Sequence, residues 1–68
     1  MYEVYECGSF GRCPVVYERH STAEGAWASL CGLYVFGLEG YVVGPDGSRM
    51  GISECPDGIY SRFADYID

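Results

Sequence analysis

Lysine is missing from this 68-residue chain, histidine occurs once, and the only cations are Arg12, Arg19, Arg49 and Arg62. Ten acids oppose those four arginines, for a formal net charge of -6. Binding to duplex DNA or RNA needs basic side chains that displace condensed counterions, and adsorption to an anionic membrane leaflet needs them too. Neither direct nucleic-acid nor membrane binding is expected. A field of this sign attracts a basic protein surface instead.

Long apolar runs are also lacking. The stretch from Ala26 to Leu38 is the most apolar, but it contains Ser29 and falls well short of the ~20 residues that span a bilayer. The first residues carry Glu3 and Glu6 where a secretory signal has a basic n-region followed by an apolar segment. A cytoplasmic protein is the expectation.

Close cysteine pairs are absent. Cys7, Cys13, Cys31 and Cys55 are six, eighteen and twenty-four residues apart, whereas structural zinc sites bring ligands in pairs such as Cys-x2-Cys. No metal and no cofactor is expected, and Cys31 reads as a small core residue. Cys7 and Cys13 bracket a short loop, so a cross-strand disulfide is geometrically possible, although a reducing cytosol would keep it open.

No catalytic set assembles either. Any Ser-His or Cys-His pair would have to use His20 with Ser21, Ser9, Cys7 or another nucleophile brought near by folding, and no motif surrounds it. The glycines Gly37, Gly40 and Gly44 have no following lysine and precede a strand, so they make no phosphate cradle. Paired carboxylates need a cleft that separates their pKa values, for which one small core leaves little volume. The chain is expected not to be an enzyme.

What is present is a foldable composition: 49% of residues are apolar and 16% aromatic, too hydrophobic for a disordered chain. One domain over residues 1–68 is expected. Residues 2–7 and 14–20, rich in Tyr and Val, read as two antiparallel strands around Gly8-Ser9-Phe10-Gly11-Arg12, with Pro14 at a strand start or edge. Ser21 and Glu24 have capping-box spacing, predicting a helix from near Thr22. Its apolar stripe runs Ala23, Ala26, Trp27, Leu30, Cys31, Leu33, Tyr34 and Leu38, with Gly37 or Gly40 as candidate left-handed caps.

Tyr41 to Val43, a Gly44-Pro45-Asp46-Gly47 turn, and Ser48 to Ile52 read as a second hairpin. Residues 57–67 predict a short helix capped by Asp57, with Ile59, Tyr60, Phe63, Tyr66 and Ile67 on one face. The expected fold is α+β: a four-stranded antiparallel sheet with one long helix packed on a face and a short C-terminal helix, in the order ββαββα.

The C-terminal segment holds Glu54, Asp57, Asp65 and Asp68 against Arg62 alone. Asp65 and Asp68 would sit at the negative end of the last helix dipole, where cations are preferred. Charge set against local stability is a sign of binding; the alternative is a frayed tail that its acids solvate. Seven tyrosines exceed what one small core buries, and tyrosine is enriched in interface cores. Glu54, Asp57, Tyr60, Asp65, Tyr66 and Asp68 are therefore the expected partner-binding residues, on a chain expected to be a monomer.

A short acidic chain with a sheet-and-helix plan and no catalytic set resembles, as a class, the small phage-encoded anti-CRISPR inhibitors. The resemblance implies an inhibitory protein whose carboxylates stand in for phosphates and occupy the nucleic-acid-binding arginines and lysines of a CRISPR effector complex, in the cytoplasm of the host cell. Two rival readings differ in class. One is a structural or assembly protein that self-associates through a sheet edge or aromatic surface; the other is a small thiol or histidine enzyme.

Overall fold

The computed structural model describes residues 1–8 and 14–67. The first two strands form where Tyr and Val dominate: β1 spans Tyr2–Cys7 and β2 spans Val15–His20, paired antiparallel. Pro14 lies just before β2, on the outer strand of the sheet, where its missing N–H interrupts no ladder. The register slips between Val4 and Tyr5, which face Glu18 and Val16, so Tyr17 is an additional residue that bulges the edge strand.

Helix α1 runs from Ala23 to Val35. Its cap is Thr22 rather than Ser21: Thr22 is extended and its Oγ1 accepts the Gly25 N–H at 3.2 Å. Thr22 lies three residues before Gly25, so no carboxylate completes a box. At the other end Gly37 adopts φ 78, the Gly37 N–H donates to the Tyr34 carbonyl at 3.0 Å, and the Leu38 N–H donates to the Leu33 carbonyl at 2.9 Å. This paired closure, with the Phe36 N–H on the Leu33 carbonyl at 3.1 Å, caps the carbonyls of the last turn. Of the two candidate glycines, Gly37 is the cap, and Leu38 packs on the core from beyond the helix.

Strand β3, Glu39–Val43, pairs with β1, and β4, Arg49–Met50, pairs with β3. The sheet order is β2-β1-β3-β4. Because β1 is antiparallel to both neighbours, β2 and β3 run parallel with β1 between them, and α1 makes the crossover along one sheet face. The last strand is shorter than its sequence suggests: Ile52–Glu54 form a 3-10 turn, where the Glu54 carboxylate accepts the Gly51 N–H at 2.8 Å. That local bond draws the chain out of the ladder.

Helix α2 covers only Asp57–Tyr60, followed by turns to Tyr66. Its N-cap position is Pro56, and Asp57 occupies the first turn instead of the cap. The face expected on this segment divides. Ile59 is buried and Phe63 and Ile67 pack on the core, while Tyr60 and Tyr66 are exposed.

The core is Val4 and Val42 on the sheet against Ala26, Trp27, Leu30, Cys31 and Leu33 of α1, closed by Cys55 and Ile59. The helix thus has two buried sides, one on the sheet and one on the C-terminal segment. Gly40 lets β1 and β3 meet closely beneath it: a Cβ there would overlap the Tyr5 carbonyl oxygen and come within 3.1 Å of Leu33 Cδ1.

The turn between β3 and β4 closes with the Gly47 N–H on the Gly44 carbonyl at 3.0 Å and Gly47 at φ 85. Asp46 Oδ1 accepts the Ser48 hydroxyl at 2.7 Å and the Ser48 N–H at 3.1 Å. These two bonds, the hydroxyl foremost, hold the Asp46 carboxyl below its ordinary pKa. A carboxyl whose folded pKa is depressed adds stability at neutral pH, and that stability is lost as pH falls through the folded value, because the unfolded chain takes up the proton first. The urea midpoint of the protein should therefore exceed that of Asp46→Ala at pH 7, and the gap should close in acid below the ordinary carboxylate range.

Candidate functional site

Strand alternation around the buried Val4 and Val42 assigns the two sheet faces. Tyr2, Val4 and Glu6 of β1 and Gly40 and Val42 of β3 face α1, so Glu3, Tyr5, Cys7, Glu39, Tyr41 and Val43 lie on the face that no helix of the described residues covers. There Tyr5 and Tyr41, directly opposed across the ladder, stack with centroids 5.2 Å apart and rings 10° from parallel. The Arg49 guanidinium lies 3.8 Å from the Tyr41 ring centroid, a cation–π contact that orders its side chain. Arg19 Nε donates to Glu3 Oε2 at 2.9 Å, and the Tyr5 hydroxyl donates to Glu3 Oε1 at 3.5 Å.

This divides the charge unevenly. On the uncovered face Glu3 and Glu39 are matched by Arg19 and Arg49. The remaining acids among the described residues, Glu6, Glu18, Glu24, Asp46, Glu54, Asp57 and Asp65, are opposed only by Arg62, so the side carrying α1, the C-terminal segment and the β3–β4 turn holds a formal charge of -6. Seven acids against one arginine give that value. The single arginine is itself occupied, with Arg62 Nη2 3.2 Å from Glu24 Oε1 in an exposed ion pair. Such a pair adds little stability but occupies the one cation that the described residues place on this side.

The residues expected to bind a partner do not form one continuous patch. Asp57 and Tyr60 share a cleft of about 280 Å³ with Ile52, Ser53 and Cys55. Tyr66, 67% exposed, lines a separate cleft with Tyr34, Leu38 and Glu39. Glu54 is engaged in its local bond to Gly51. Asp65 is exposed in the turns beyond α2, so the helix dipole that was expected to oppose it ends at Tyr60, too early to reach it. Asp68 lies outside the described residues, as does the Cys13 half of the Cys7–Cys13 pairing.

His20 Nε2 lies 2.7 Å from Glu18 Oε1, which also accepts the Ser29 hydroxyl at 3.0 Å. The carboxylate stands between serine and imidazole. In a nucleophilic triad the imidazole stands between the other two, where it can take the hydroxyl proton; in this order Glu18 fastens the end of β2 to α1.

Sequence reading also missed a thiol pair. Cys31 and Cys55 are both buried, with sulfurs 3.8 Å apart. Burial first, and then the contact with Cys55, push the Cys31 thiol up to about 12. No cysteine spacing signals a meeting across 24 residues that depends on how the C-terminal segment folds back. The uncovered aromatic face had a fainter signal, since Glu3-x-Tyr5 and Glu39-x-Tyr41 share a parity that gains meaning only once the register is known. No family model, curated protein or solved structure matches this chain.

Proposed function

We propose that the protein is a non-catalytic inhibitor that binds a basic protein surface of the kind that otherwise holds nucleic acid, as anti-CRISPR proteins do on CRISPR effector complexes. The observation that supports it is the one-sided charge among the described residues: the helix side holds a formal -6 while the uncovered sheet face is balanced. Concentrated carboxylates on a surface with no free cation among the described residues are what phosphate-binding arginines and lysines of a partner would recognise. Asp57 and Asp65, both exposed and unmatched by arginine among the described residues, belong to that side.

The test is displacement of target DNA from purified CRISPR effector complexes, read by mobility shift across a salt series. Inhibition should weaken about tenfold or more between low and high salt, and Asp57→Asn with Asp65→Asn should weaken it several-fold. Effectors that keep their DNA at every salt concentration, or inhibition indifferent to salt and to these substitutions, would reject the reading.

A second reading, self-assembly, has its own observation. β2 is an outer strand of six residues with Val15, Val16 and Tyr17 exposed by 58%, 37% and 46%, and its bulge and charged residues, Glu18 and Arg19, lie beyond the apolar Val15–Val16 stretch. If it pairs with a second copy, light scattering will show a mass that rises with concentration, and Val16→Lys will return the protein to a monomer.

A further inference from the structure

The two buried thiols lie in parts of the fold with different freedom. Cys31 sits mid-helix in α1, fully buried among Ala26, Trp27 and Leu30. Cys55 follows the 3-10 turn in extended conformation, φ -62 and ψ 132, at the start of the C-terminal segment. That segment is held to α1 by Ile59, Phe63 and Ile67 and by the exposed Arg62–Glu24 pair, and belongs to no strand ladder. It can therefore yield by an ångström or two more readily than α1 can. Bringing sulfurs from 3.8 Å to bonding distance, about 2.0 Å, asks for a movement of that size. Cys55, 8% exposed against 0% for Cys31, also borders the cleft formed with Ser53, Asp57 and Tyr60, so it is the half of the pair nearer to solvent.

We infer that Cys31 and Cys55 are a redox-active dithiol that closes to a reversible disulfide on meeting a low-molecular-weight disulfide such as oxidised glutathione. Cys55 loses its proton to solvent and its sulfur attacks one sulfur of the oxidant; the oxidant's S–S bond breaks and the first glutathione thiolate leaves. Cys31 then attacks Cys55 Sγ, its proton passing to the second departing glutathione as the mixed disulfide breaks. Two protein thiols are oxidised by two electrons, and one glutathione disulfide is reduced to two glutathiones. Burial, which keeps Cys31 protonated, sets the order: the thiol at the cleft reacts first and the fully buried thiol resolves it. The closed form staples α1 to the C-terminal segment. This inference does not depend on the binding reading.

The test uses the full chain with Cys7→Ser and Cys13→Ser, so that only this pair can react. After incubation with oxidised glutathione, the folded protein should lose both titratable thiols, show no retained glutathione by intact mass, and yield a peptide joining Cys31 to Cys55. Its melting temperature should rise on the order of 10 °C and fall back with dithiothreitol. In a further Cys31→Ala variant, Cys55 should retain one glutathione, because nothing resolves the adduct. Two thiols that persist until the protein is denatured, or a stable glutathione adduct with Cys31 present, would overturn the inference.

Discussion

Gly40→Ala is expected to cost about 3 kcal/mol or more and to leave the protein largely unfolded at moderate urea concentrations. The added Cβ meets the backbone carbonyl of Tyr5, not the tip of a side chain, and Leu33 Cδ1 closes the other side at 3.1 Å. Relief would require β1 and β3 to part where Glu6 pairs with Gly40, breaking the central ladder on which the helix rests. Strain of this kind is among the few causes of large single-residue effects. For a chain of this length total stability is on the order of 3–10 kcal/mol, so the loss is a large share of it. Gly32→Ala supplies the contrast. Nothing lies within 4 Å of its would-be Cβ, and removing a glycine from the interior of α1 should stabilise by up to about 1 kcal/mol. Urea midpoints followed by circular dichroism should move in opposite directions for the two variants.

Leu30→Ala is expected to destabilise by about 3–5 kcal/mol, comparable with the whole stability of the domain. Leu30 is wholly buried at the centre of α1, in one cluster with Val4, Val42 and Cys31. Truncation there removes buried methyl groups from the centre of that cluster and leaves a cavity. Leu30→Met, which nearly conserves volume, should cost less than about 1.5 kcal/mol. Equal losses for the two substitutions, measured by chemical unfolding, would show that the site tolerates empty space and that the core is looser than its burial implies.

The arrangement of elements was legible because each has a local cause in the chain. Tyr and Val set the strands, the apolar stripe from Ala23 to Tyr34 set the helix, and Gly44-Pro45-Asp46-Gly47 set the turn, with Gly47 at positive φ as its type requires. Misreadings arose where two local solutions compete. Ser21 has the better capping-box spacing, but Thr22 is the residue whose hydroxyl meets a free N–H. Ile52 continues an apolar strand pattern, yet the Glu54 carboxylate captures the Gly51 N–H and turns the chain. Residues 57–67 have a helical stripe, but α2 ends at Tyr60, and beyond it the Arg62 and Phe63 N–H groups reach back only three residues, to Ile59 and Tyr60.

The candidate site was far less legible, because it is made of register and charge placement. Acids counted along the C-terminal segment suggested a continuous binding stretch. In three dimensions Asp57 and Tyr66 border different clefts, and the excess charge spreads over α1, the β3–β4 turn and the C-terminal turns together. The stacked Tyr5 and Tyr41 depend on β1 and β3 pairing across 36 positions of sequence, a distance over which no periodicity speaks.

Among the described residues, a balanced sheet face opposite a strongly negative helix side separates charge across the molecule. In the field of a basic surface such a body rotates while still several ångströms away, and the encounters that follow are dominated by one orientation. On the proposed basic partner the helix side would arrive first, leaving the stacked tyrosines and the outer edge of β2 turned toward solvent. An inhibitor delivered this way would coat its target with an aromatic sheet and an unpaired strand, so the surface left behind by binding would be chemically unlike the basic one it covered.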